Sequence, residues 1–295
     1  MAVYKRRYAA YTGSLTPAWS RFFVLTRYAF AELFKSRFFV ILLILSLVPV
    51  LLFAFYIFIA NNQTVQLLLP TGPAGLFAVD VRYFTIIMIV QTQAAFLLNC
   101  WVGPVLIAGD LTNGAMPLFL SRPFSRADYV LGKLTVLGLL LSGVTWVPIL
   151  LLFGLQSGLA RNGWIWTHLW MVVPILFCSA IWILMLSLLS LAVSAWVRLR
   201  IVATGVIFIT FFIPTGLGEM FNAIMGTYWG RLLNFTDMFR LILAQGFGEL
   251  TATGLMGPIR NEIPVPAAWG VLISVCLLSL VILNARLRAR EAVSG

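Results

Sequence analysis

At 295 residues, with 61% hydrophobic and only 10% charged residues and a mean hydropathy of +1.01, the chain is too apolar for an ordinary soluble domain. Its formal net charge of +11 comes from cations that punctuate apolar runs, which argues for membrane orientation and against a nucleic-acid partner. The single histidine, His168, argues against a histidine-rich metal site, and Cys100, Cys178 and Cys276 all fall in apolar segments where they read as small buried hydrophobes.

Residues 1–37 carry Lys5, Arg6, Arg7, Arg21, Arg27, Lys35 and Arg37 with no apolar run of signal-sequence length, so this segment is expected on the cytoplasmic side. From Trp19 a helical period emerges. Trp19, Phe22, Phe23, Phe30, Leu33 and Phe34 share one face, and Arg21, Glu32 and Lys35 lie opposite. This pattern predicts an amphipathic helix lying flat at the interface, with a soluble packing helix as the alternative.

Six apolar stretches follow, at 38–60, 83–108, 129–156, 169–197, 201–217 and 265–284, and together they predict an all-α integral membrane fold with a transmembrane domain over 38–285 and a tail over 286–295. In the second stretch Thr85, Thr92 and Asn99 recur at heptad spacing with Gln91 alongside. Polar groups on one face must look toward other helices or a cavity, so Gln91, Thr92 and Asn99 read either as helix-packing contacts or as a substrate path. Gly138, Gly143 and Pro148 in the third stretch suggest close approach and a kink, and Ser179, Ser187, Ser190 and Ser194 in the fourth form a small-residue packing stripe. The fifth is short and ends near Pro214. Residues 218–264 then form the longest non-spanning region, read as a partly re-entrant or surface-lying element with Thr236 or Asp237 capping a helix that stops at Gly246. No acidic residue falls within the six stretches so drawn.

Six crossings put both termini on one side. The inner segments then hold fifteen of the twenty Lys and Arg residues and the outer ones five, which predicts cytoplasmic termini in an inner (cytoplasmic) membrane. The same topology places the polar connection between the second and third stretches, Asp110 to Asp128, in the cytoplasm. Pro117 can sit in the first turn of a short helix there, Pro123 disfavours helix at Arg122, and Arg122 and Arg126 are forked donors suited to carboxylates on a partner. Gly132 and Lys133 are followed by Leu134, so no phosphate-binding loop is present, and no acid, base and nucleophile set stands in the apolar stretches.

Asp110, Asn113-Gly114, Pro117, Ser121-Arg122-Pro123-Phe124-Ser125-Arg126, Tyr129 and Gly132-Lys133 form a run, with Asp128 inside it, that resembles the signature of permease subunits of type-two ATP-binding-cassette (ABC) exporters. Ala115-Met116 stand where Thr-Leu is usual in that family, and Phe124 where Ile or Val is usual. The resemblance implies that this loop is a cytoplasmic coupling helix docking on a separate ABC ATPase subunit. The partner would bind ATP and Mg, whereas this chain would bind no cofactor and would not be an enzyme by itself. A second permease subunit, identical or different, would complete the pathway for an exported substrate. The rival readings are an ATP-independent secondary transporter, which would need an ionisable residue in a span, and a membrane assembly factor or enzyme acting on a lipid-like substrate.

Overall fold

The computed structural model describes residues 21–62, 64, 79–112, 126–160, 163–197, 199–248, 253–254, 257–258 and 263–294. It is helical, and six of its helical segments are long and apolar enough to cross a membrane. The elements in chain order are α1 (Arg21–Lys35), α2 (Arg37–Asn61), α3 (Val81–Thr112), α4 (Arg126–Val144), α5 (Trp146–Leu159), α6 (Trp164–His168), α7 (Val172–Trp196), α8 (Arg200–Met225), α9 (Phe235–Gly246) and α10 (Val265–Ser294). A two-residue antiparallel ladder, β1 (Thr253–Gly254) with β2 (Gly257–Pro258), precedes α10.

The first predicted stretch corresponds to α2, whose start is capped by Ser36 accepting from the Phe39 amide at 3.4 Å. The second corresponds to the apolar part of α3. The third is a candidate span made of two helices, α4 and α5, separated at Thr145, beside Pro148 where the sequence suggests a kink. Pro148 lacks the amide that would bond the Val144 carbonyl, and the Thr145 hydroxyl turns back to the Leu141 carbonyl at 2.8 Å, so the ladder is interrupted there. The fourth begins earlier than residue 169. Gly163, at φ +70, releases the chain into α6, and a 3-10 turn over Leu169–Met171 joins α6 to α7.

The largest correction concerns the fifth stretch. Helix does not stop near Pro214 or at residue 217 but runs on to Met225, where Gly226 at φ +63 ends it. The longer helix takes in Glu219, so the expectation of acid-free spans fails in its last turns, where Glu219 is exposed.

Beyond Gly226 the chain doubles back along α8. Gly230 meets Gly218 so closely that a Cβ built on either would overlap the other's carbonyl, and the Gly230 amide donates to Asn222 Oδ1 at 2.7 Å. Phe235 reaches Phe211, with ring centroids 5.6 Å apart, a point roughly 21 Å back along α8 from Met225. There α9 begins. Its cap is Asn234, accepting from the amides of Thr236 and Asp237 at 3.1 and 3.2 Å, in place of the expected Thr236 or Asp237. The helix then runs outward beside α7, with Phe239 4.5 Å from Trp182 and Gly246 against Pro174, and the positive φ at its end belongs to Gly248, not Gly246. The described part of the element therefore packs back against the bundle.

The core lies among α3, α4–α5 and α6–α7, whose apolar windows are 61%, 56% and 56% buried, whereas α2, α8 and α10 are only 11%, 22% and 17% buried. α7 is the hub, packing on α3, α4, α8, α9 and α10. Its serine stripe faces α3. A Cβ on Gly103 would collide with Ser190, Ser194 donates to the Gly103 carbonyl at 3.2 Å, and Ser179 lies 3.7 Å from Met88 Sδ.

Candidate coupling site

The motif-bearing connection has its two ends on α3 and α4, which pack against each other. The backbone of Asp110 lies in the last turn of α3, and those of Arg126 and Asp128 lie in the first turn of α4. Asn113, Gly114, Pro117, Arg122, Pro123 and Ser125 lie outside the described residues.

Tyr129, Gly132 and Lys133 form the described base of the site. Tyr129 is 3% exposed and Lys133 4%, with the Lys133 ammonium 5.6 Å above the Tyr129 ring. A buried ammonium is held only with partners, and an aromatic face supplies about 0.5–2 kcal/mol of that compensation. Helix α1 packs on α4 here. Buried Thr26 donates its hydroxyl to the Gly132 carbonyl at 3.4 Å, and Leu33 is buried on the same helix. Thus the N-terminal helix packs on the start of α4. Its observed inward face runs Thr26, Ala29, Phe30 and Leu33, whereas Phe34, assigned to that face from the sequence, is half exposed. Thr26 escaped the sequence reading because a hydroxyl residue among aromatics counts as polar. Its spacing of seven from Leu33, two helical turns, was the available signal.

Aromatic and basic side chains gather at the same end of the bundle. Trp101 on α3 contacts Phe38 and Phe39 at centroid distances of 5.2 and 6.2 Å and carries the Arg200 guanidinium 4.0 Å above its ring. Arg286 on α10 lies 5.0 Å above Trp196, the last residue of α7.

The three residues offered as a substrate path are engaged between helices. Gln91 is fully buried and donates to the Ser46 carbonyl on α2 at 2.9 Å, while its Oε1 has no hydrogen-bond partner. Thr92 donates to Ile89, and its own carbonyl accepts from Trp182 Nε1 at 3.0 Å. Asn99 donates to the Leu186 carbonyl and accepts from Ser190, each at 3.2 Å. A lateral cavity of about 490 Å³ lies between α2 and α3, walled by Pro49, Leu52, Phe53, Tyr56, Tyr83, Ile86 and Val90 and so by none of the three.

Among the described residues no three His, Cys, Asp or Glu side chains come together as a metal-binding group. Compared with family models and with curated proteins, the chain matches none of them.

Proposed function

We propose that the protein is the permease subunit of a type-two ABC exporter, forming half of a transmembrane pathway and relaying ATP hydrolysis by a separate ATPase subunit. The observation that carries this reading is the mounting of the motif-bearing loop. Both its ends are fixed to packed helices, and α1 packs on α4, with Thr26 bonded to the Gly132 carbonyl beside buried Tyr129 and Lys133. A docked knob transmits rigid-body motion only when its base does not yield, and buried side chains at Tyr129 and Lys133 supply that stiffness.

In this reading residues 113–125 form the cytoplasmic coupling helix, with Arg122 and Arg126 pairing to carboxylates of the ATPase. α1 is the interfacial helix that braces it from the membrane surface. The gathering of Arg200, Arg286, Trp101 and Trp196 at this end supports a cytoplasmic orientation for it, and with six crossings for both termini. The second permease subunit packs on the sparsely covered helices, and ATP and Mg belong to the partner ATPase.

The test is affinity purification of the tagged chain in mild detergent beside the Arg122→Glu/Arg126→Glu variant. A nucleotide-binding ATPase should accompany the wild type and be lost from the variant while both remain monodisperse. A wild type that brings down no ATPase would overturn the proposal.

A further inference from the structure

The turn between α7 and α8 joins two features that coupling does not use. On one side, Arg286 is laid over Trp196; on the other, Arg200 is laid over Trp101. Trp196 and Arg200 are only four residues apart in the chain, so the two stacked guanidinium groups flank a single short connection. Among the described residues Arg240 pairs with Asp237 on α9, and no ion pair is seen for Arg200 or Arg286. Arg286 Nε is buried without a hydrogen-bond partner. Between them, α8 starts at Arg200, and Leu199 before it offers no side-chain cap, which leaves the amides of its first turn without an intrahelical acceptor.

The chemistry at this turn is thus two cations, each within cation–π reach of an indole, with an uncapped helix start beside Arg200. A guanidinium over a ring keeps N–H donors that can pair with a tetrahedral oxyanion. The surroundings are apolar on the outside. Phe38, Trp196, Leu199, Ile201 and Val202 are exposed around the turn, so whatever brings the anion must tolerate a hydrocarbon neighbour. A membrane phospholipid carries both parts in one molecule.

We propose that the α7–α8 turn is a binding site for the phosphate of an anionic phospholipid, with Arg200 and Arg286 as its cationic donors, Trp101 and Trp196 as stacking platforms, and the exposed side chains of α8 alongside its acyl chains. The site depends on the chain lying in a membrane and is independent of any ATPase.

The experiment is native mass spectrometry of the full chain released from detergent micelles, titrated with dioleoylphosphatidylglycerol, with dioleoylphosphatidylcholine, or with inorganic phosphate. The wild type should retain the anionic lipid in preference to the zwitterionic one. Arg200→Gln/Arg286→Gln should weaken the anionic lipid on the order of thirtyfold, at a basic residue's usual worth near a charged membrane. Arg231→Gln, which removes a cation near Tyr228 on the returning segment, should change nothing. If the glutamine pair does not fold, Arg200→Lys/Arg286→Lys replaces it; the fork is lost with charge kept, and severalfold weakening is expected. Equal retention of the two lipids, or unchanged selectivity in the folded double variant, would sink the proposal. Displacement of the lipid by inorganic phosphate would do the same, because it assigns the turn to a free anion.

Discussion

At the scale of single residues, two kinds of small contact hold long helices together here. The first is close backbone approach. At Gly218 and Gly230 each missing Cβ makes room for the other residue's carbonyl, and neither carbonyl is a flexible side-chain end that could move aside. Gly218→Ala should therefore destabilise the fold by at least the ~1–3 kcal/mol typical of overpacking. Gly138→Ala, where a Cβ meets nothing within 4 Å, should be neutral or mildly stabilising. Thermal midpoints by fluorescence-detected size exclusion would separate the two. The second kind is the polar bridge. Asn99→Leu removes one bond to the Leu186 carbonyl and one from Ser190, at roughly 0.6–1.7 kcal/mol for each interhelical bond, and the same assay should show a lowered midpoint. The heptad of Thr85, Thr92 and Asn99 was legible as a face from spacing alone. What spacing could not distinguish was the use of that face, since a polar residue looking at a helix and one looking at a cavity have the same periodicity.

At the scale of elements, the returning segment after α8 shows where reading ahead of structure succeeds and where it stops. Of the region expected to be partly re-entrant or surface-lying, Phe235–Gly246 packs on the bundle as α9. Its boundaries were misread for a local reason. In sequence Pro214 reads as a stop, but in an apolar helix packed against others proline does not end the helix, and the glycine that ends it lies twelve residues further on, at Gly226. The cap was missed similarly. Asn234 precedes the expected candidates Thr236 and Asp237, and its side chain serves both their amides. Asn234→Ala should cost about 0.5–2 kcal/mol locally and hasten hydrogen exchange in the first turn of α9, while Thr236→Ala leaves that turn protected. Equal exchange in the two variants would show that packing of Phe235 and Phe239, not the cap, fixes the start of α9.

At the scale of the whole molecule, burial divides the long helices into a covered set, α3 to α7, and an uncovered set, α2, α8 and α10. Their number follows from apolar length and was legible in the sequence; the hub position of α7 was not, because side-by-side order in a bundle is decided by shape complementarity between helices distant in the chain. In the proposed six-crossing arrangement the two ends of the chain lie on one side. A C-terminal fluorescent-protein fusion should glow and a C-terminal alkaline phosphatase fusion stay silent if that side is cytoplasmic; the reverse pattern would turn the whole assignment over.

The bond from Thr26 to the Gly132 carbonyl joins residues 106 positions apart. A ribosome adding about 5–20 residues per second takes roughly five to twenty seconds to cover that interval. For that time α1 exists without the surface it finally covers. Its aromatic side chains must be held elsewhere, and the bilayer surface next to α2 is the nearest apolar phase. The seat of α1 on α4 is thus a late event in biogenesis, so the loop between α3 and α4 acquires a rigid base only after the third apolar segment has been made.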